Sequence, residues 1–142
     1  MQPDVKHENV IVLADACVLI TLIDANELRK LVSIKHYDFC VTEDVVTEII
    51  RPQQKKILAA AISDDVLSKI TIDIPDELAM FAELQTLKLG RGEASSIAVA
   101  YHRGWSFATD EKGKCRKMAE QHLGHKRILT TTQLRALWLS KG

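Results

Sequence analysis

Two acidic residues stand where short hydrophobic runs end. Asp15 follows Val10-Ile11-Val12-Leu13-Ala14, and Asp110 follows Trp105-Ser106-Phe107-Ala108-Thr109. Runs this short and this apolar suit strands buried on both faces, as in a parallel sheet covered by helices. In such sheets the carboxyl ends of the strands form the edge where ligands bind. Two carboxylates carried there from distant parts of the chain point to a cation site, and through it to phosphate chemistry. Taken singly, each Asp has a plainer role as the N-cap of the helix after its strand. Their shared placement is what favours chemistry.

Two further acids qualify. Glu48 lies three residues after Val45 and one before Ile49, at the border of an apolar stripe rather than on a fully solvated face. Glu93 falls in the first turn of a helix, four residues before Ile97, where the helix dipole alone already favours an acid. Carboxylates gathered in one pocket repel each other and raise one another's pKa values. A hard divalent cation removes that penalty, and Mg²⁺ or Mn²⁺ fits because both take oxygen ligands. One ion, or a pair roughly 3.5–4 Å apart, would activate water and stabilise the leaving oxygen of a phosphodiester. The sequence leaves both numbers open.

The elements that must position these acids follow from periodicity. Strands are expected at residues 9–14, 37–41, 69–74, 105–109 and 127–130, and helices at 16–24, 26–36, 43–50, 53–63, 76–88, 93–102 and 112–123, with a last helix after the fifth strand. Thr42 offers a hydroxyl N-cap, with Glu43 and Asp44 in the first turn behind it. Leu78, Phe81 and Ala82 should form the apolar face of the helix at 76–88, and Ala94, Ile97, Ala98 and Tyr101 that of the helix at 93–102. Leu134, Leu137 and Trp138 should face inward from the last helix. Strands separated by helices indicate a parallel α/β sheet with right-handed crossovers.

The bulk numbers agree with one ordinary globular domain over residues 1–142. Hydrophobic residues make up 46% and charged residues 27% of the 142, and 19 basic residues balance 19 acidic ones. Zero net charge excludes a globally basic nucleic-acid coat protein and leaves room for a local basic patch. Cys17, Cys40 and Cys115 are odd in number and form no C-x-x-C pair, so reduced thiols and a cytoplasmic location are expected. No apolar run approaches the about 20 residues needed to span a bilayer, and Met1-Gln2-Pro3-Asp4 does not begin a signal peptide.

The segments Val12-Leu13-Ala14-Asp15-Ala16-Cys17-Val18-Leu19-Ile20, Val45-Val46-Thr47-Glu48-Ile49, Leu89-Gly90-Arg91-Gly92-Glu93-Ala94-Ser95-Ser96-Ile97-Ala98-Val99-Ala100 and Ala108-Thr109-Asp110-Glu111 resemble a PIN domain in order and spacing. The L-G-x-G-E-A stretch is the most specific of them. The resemblance implies a three-layer α/β/α fold around a parallel sheet of four or five strands. It also implies a Mg²⁺- or Mn²⁺-dependent endoribonuclease of the kind found as VapC-like toxins in type II toxin–antitoxin pairs. The family's acidic quartet would map onto Asp15, Glu48, Glu93 and Asp110, as metal-holding and catalytic residues. A small antitoxin would then block the acidic groove, and a homodimer is common in the family. Ala16 and Cys17 stand where a small hydroxyl residue is frequent, which is expected to remove a hydrogen bond to Asp15. Glu111 would be either an outer-shell ligand or a solvated residue, and the solvated role is slightly favoured.

The stretch 112–127 carries Lys112, Lys114, Arg116, Lys117, Lys126 and Arg127 against Glu120. Starting beside Asp110, it would draw a single-stranded RNA backbone toward the carboxylates. Lys112, Lys114 and above all Arg116 are the expected substrate contacts, although a charged, solvated helix face opposite Cys115, Met118, Ala119 and His122 accounts for any one of them.

Rival chemistries fit less well. Gly90-Arg91-Gly92 lacks the Lys-Ser/Thr of a P-loop, His122 and His125 have no evident third ligand partner, and no Ser or Cys has a paired base. A response-regulator receiver would need an acidic pair after the first strand, and an Asp-x-Asp phosphatase would need an Asp where Cys17 stands. A PIN-fold module that binds RNA or protein without cutting is the remaining alternative, and the complete quartet weighs against it.

Overall fold

Strand β1 (Val10–Ala14) is the middle of a five-stranded sheet of order β3-β2-β1-β4-β5, in which every neighbouring pair is parallel. The other strands are β2 (Tyr37–Thr42), β3 (Ser68–Ile70), β4 (Ser106–Ala108) and β5 (Ile128–Leu129). The computed structural model describes residues 9–140. From β1 the chain builds outward to β2 and β3, then returns to add β4 and β5 on the other side. The order therefore reverses between β1 and β4, which is the crevice where open α/β sheets bind ligands. Register pairs Ala14 with Ala108, so Asp15 and Thr109 leave the sheet side by side at that point.

Among the described residues, seven α-helices cover the sheet: α1 (Ala16–Asp24), α2 (Glu43–Glu48), α3 (Pro52–Ser63), α4 (Pro75–Thr86), α5 (Arg91–Arg103), α6 (Lys114–Leu123) and α7 (Thr131–Ser140). The two-residue period of a strand sends alternate side chains to opposite faces. Val12 and Ala14 accordingly pack with Leu19, Leu22, Leu58 and Leu134 of α1, α3 and α7. Leu13 packs on the other face with Phe81, Ile97 and Ala119 of α4, α5 and α6. Two cores on one sheet make the expected three layers. No helix of the described residues is long and apolar enough to cross a membrane.

The cap at Thr42 forms as its sequence implies, its hydroxyl accepting from Val45 N at 3.2 Å. Several elements differ from their periodic expectation. Residues 26–36 yield a 3₁₀ helix over Leu28–Ser33, with Val32 64% exposed. Strand β3 stops at Ile70 because the backbone beyond it bonds elsewhere: Thr71 O accepts from Arg103 Nη2, and Asp73 N donates to Glu77 Oε1. Helix α4 is rotated from the expected phase, burying Glu77, Phe81 and Leu84 while Leu78 and Ala82 are exposed. The cause is a buried ion pair, in which Arg103 Nε lies 2.6 Å from Glu77 Oε2. On α5, Tyr101 is exposed and meets His102 and His122 edge-on instead of joining the apolar stripe. Helix α6 begins at Lys114, after Gly113 turns the chain at φ 71°.

Candidate active site

Asp15 ends β1 and caps α1 at once. Its Oδ1 accepts from Ala16 N at 2.8 Å, and only 3% of the residue is exposed. Its Oδ2 accepts from Thr109 Oγ1 at 2.8 Å and from Cys17 Sγ at 3.4 Å. The hydrogen bond that Ala16-Cys17 was expected to remove is thus replaced twice, by the thiol and by a hydroxyl from β4's end. Burial pushes the Asp15 carboxyl above its ordinary range, and the charge of Asp110 adds to this, while these three donors pull the other way.

The N-terminus of α5 holds the next two acids. Glu93 Oε1 accepts from Gly90 N at 3.3 Å, and Glu48, at the end of α2, accepts from Gly92 N at 2.8 Å. Free N–H groups and the dipole of a helix start favour both carboxylates there. Gly92 is required sterically: a Cβ on it would lie 2.5 Å from Glu48 Oε1 and 2.8 Å from Val45 Cγ2. The second glycine of Gly-x-Gly-Glu thus lets α2 approach α5 closely enough to deliver Glu48. Burial again raises both carboxyl pKa values, opposed by these backbone donors and reinforced by the charge of Asp15. On the rim, Arg91 donates to Asp44 through Nε at 3.2 Å and Nη2 at 3.0 Å, bracing α5 against α2.

The segment after β4 departs from expectation. Asp110 turns toward α7, where its Oδ1 accepts from Thr131 N at 2.8 Å and its Oδ2 from Thr131 Oγ1 at 2.6 Å. Glu111, although exposed, comes to the cluster. An oxygen of Glu111, an oxygen of Asp15 and Cys17 Sγ lie within 4.8 Å of one another, as do atoms of Asp15, Glu93 and Cys115. Glu48 and Asp110 fall outside both groups. Gly92 lay within the Gly-x-Gly-Glu motif, whereas Thr109, Cys115 and Thr131 were not named as site residues from the sequence. Thr109 alone had a local signal, being the hydroxyl that ends the strand before Asp110.

The donor set suits a hard cation. Cys17 is pushed up to about 12, chiefly by burial and then by the charge of Asp15, and burial likewise raises Cys115. Both thiols are therefore neutral near pH 7, which leaves carboxylate oxygens as the charged donors. Carboxylate oxygens are hard donors of the kind that Mg²⁺ and Mn²⁺ take. Among the described residues, no Lys or Arg pairs with Asp15, Glu48, Glu93 or Asp110.

The basic stretch is partly engaged by the protein itself. Lys114 Nζ donates to Leu87 O at 3.1 Å, and Arg116 Nε lies 2.7 Å from Glu120 Oε2 on its own helix. Lys112 is exposed one residue after Glu111. None of the three hydrogen-bonds or ion-pairs with the acidic cluster among the described residues.

The fold is a three-layer α/β domain with a parallel sheet, and a cluster of acidic residues lies at its switch point, on the carboxyl edge. The family model DUF3368, described as a PIN domain, matches residues 11–126. The chain belongs to this PIN domain family. A chain in the crystal structure of VapBC2 from Rickettsia felis, bound to a DNA fragment from their promoter, is similar in fold. It is 12% identical, with 84% of this chain and 96% of that chain covered and a TM-score of 0.58. No curated protein matches significantly.

Proposed function

We propose that the protein is a divalent-metal-dependent endoribonuclease hydrolysing RNA phosphodiester bonds, as the toxin of a type II toxin–antitoxin pair. The observation that carries this reading is the cluster of carboxylates at the β1/β4 switch point, with Asp15 buried, Glu93 half-buried and Glu48 and Glu111 exposed, without ion-pair partners among the described residues. Asp15, Glu48 and Glu93, with a carboxylate from the Asp110-Glu111 pair, would hold Mg²⁺ or Mn²⁺. When bound, the ion neutralises these charges and activates water for attack on phosphorus. The remaining work falls to the chain. Thr109 and Cys17 fix the Asp15 carboxylate, Gly90 and Gly92 aim Glu93 and Glu48, and a carboxylate not engaged by the ion orients the attacking water. Lys112, Lys114 and Arg116 attract the RNA backbone, Arg116 after exchanging Glu120 for phosphate.

Membership of the PIN family supports the nuclease, and the VapBC2 likeness supports an antitoxin partner. A cytoplasmic toxin, able to form a homodimer, accords with both. One observation favours the alternative of a binding module that does not cut: Asp110 has both oxygens on Thr131.

The test is incubation of a mixed structured and single-stranded RNA pool with Mg²⁺ or Mn²⁺, beside Asp15→Asn. Cleavage abolished by EDTA and by the substitution is the expected result. RNA binding without cleavage, and cell toxicity equal in wild type and Asp15→Asn, would replace the nuclease with the binding module.

A further inference from the structure

Which carboxylate after β4 belongs to the cation-holding set can be read from where each is already committed. The question rests on the nuclease reading above. Asp110 makes two short contacts with one residue, Thr131 N at 2.8 Å and Thr131 Oγ1 at 2.6 Å. Both point it at the start of α7 (Thr131–Ser140), whose first free N–H groups attract a negative charge. Thr130 and Gln133 already cap each other's backbone there, Thr130 N donating to Gln133 Oε1 at 2.8 Å and Gln133 N to Thr130 Oγ1 at 3.2 Å. Asp110 supplies what that box leaves out, an acceptor for Thr131 N.

Glu111 is placed differently. Its backbone N donates to Thr109 Oγ1 at 3.1 Å, and the same hydroxyl donates to Asp15 Oδ2 at 2.8 Å. One threonine thus ties the Glu111 backbone to the central carboxylate. A Glu111 oxygen falls in a group with Asp15 and Cys17 inside 4.8 Å, and neither Asp110 nor Glu48 belongs to either such group among the described residues; Glu48 has one oxygen engaged, by Gly92 N, whereas Asp110 has both committed to Thr131. The longer Glu side chain bridges the extra distance from a residue that is otherwise exposed.

We infer that Glu111, not Asp110, completes the cation-holding set with Asp15, Glu48 and Glu93, and that Asp110 is a positioning residue anchoring α7 to the end of β4. The carboxylate that the family pattern assigns to the ion has become a helix anchor in this chain, and its neighbour has taken the place.

The experiment is Mn²⁺ affinity of the full chain without RNA, by electron paramagnetic resonance of free Mn²⁺, alongside thermal unfolding in EDTA. Glu111→Gln should weaken Mn²⁺ binding at least tenfold and leave the unfolding temperature within a degree, with Glu111→Asp recovering part of the affinity. Asp110→Asn should weaken Mn²⁺ no more than about threefold, its charge acting on Asp15 from a distance without its oxygens facing the ion, while lowering the unfolding temperature by about 2–4 °C. Thr131→Val should reproduce that loss, and the double variant should add little to it, as expected for two ends of one contact. A tenfold loss with Asp110→Asn, whatever Glu111→Gln does, overturns the assignment. Absence of Mn²⁺ binding by the wild type removes the metal-dependent reading itself, and this inference with it.

Discussion

Asp15 and Glu77 are buried to nearly the same degree, 3% and 1% exposed, yet the protein treats them in opposite ways. Glu77 receives Arg103 through two nitrogens, at 2.6 and 3.0 Å, and a backbone N–H from Asp73. Arg103 in turn lies over the Trp105 ring, beside the first residues of β1 and β4. There the charge is balanced within the fold, and the Glu77 carboxyl sits below its ordinary range because Arg103 binds its ionised form. At the carboxyl edge, Asp15 has hydroxyl, thiol and amide donors but no cation, and two further acids face it with carboxyls that burial raises. A buried charge left unbalanced is costly, and a fold that balances one and not the other leaves the second for something bound from outside.

The largest expected effect is on turnover. Asp15→Asn should reduce RNA cleavage by about a thousandfold or more, the scale of losing a central electrostatic group, and should leave the apoprotein at least as stable as the wild type. Equal activity in gel-resolved cleavage assays would break the comparison at its acidic end. Next is Glu77→Ala, which leaves Arg103 without its partner and should cost about 3–5 kcal/mol of stability in denaturant unfolding. If it costs nothing, Glu77 is no more structural than Asp15. Gly92→Ala forces Glu48 and Val45 away from α5 and should cost about 1–3 kcal/mol, with a loss of Mn²⁺ affinity if the displaced Glu48 carboxylate belongs to the proposed set.

The two regions should also answer pH with opposite sign. Groups whose pKa is raised on folding, Asp15, Glu48 and Glu93, favour the native state most at pH below the ordinary carboxylate range. That advantage is lost as pH rises through their raised values. Glu77 has a lowered pKa, so its contribution is present above the ordinary range and is lost as pH falls through the lowered value. Asp15→Asn should therefore flatten the stability profile on the rising side, and Glu77→Gln on the acid side. Urea midpoints across pH 3–8 read both; matching profiles in the two variants would erase the distinction.

The acidic edge was legible because its signals are local. Asp15 closes a hydrophobic run, Thr42 precedes Glu43-Asp44, and Gly-x-Gly-Glu opens a helix, so each can be recognised within a few residues. What escaped depends on partners far along the chain. The phase of α4 is set by Arg103, 26 residues beyond Glu77, and the fate of Asp110 by Thr131, 21 residues beyond it. Periodicity places Leu78 inward and has no means of knowing that an arginine will arrive to bury Glu77. Glu111 is exposed, in line with its solvated reading, and what the sequence does not show is that Thr109 ties its backbone to Asp15. Hydrophobic pattern reports which face meets the core, and it is silent on charges matched across the fold.

The central claim is that the carboxyl edge carries charge the fold does not balance and a divalent cation does. Thermal unfolding in EDTA and in Mn²⁺, at pH 7.5 and at pH 4, tests it most directly. Mn²⁺ at about 100 times its dissociation constant should add about 2.7 kcal/mol at pH 7.5, and much less at pH 4, where the raised carboxyls hold their protons. The same Mn²⁺ should leave Asp15→Asn nearly unmoved. An unfolding temperature that ignores Mn²⁺ at pH 7.5, or rises equally in wild type and Asp15→Asn, would contradict the account.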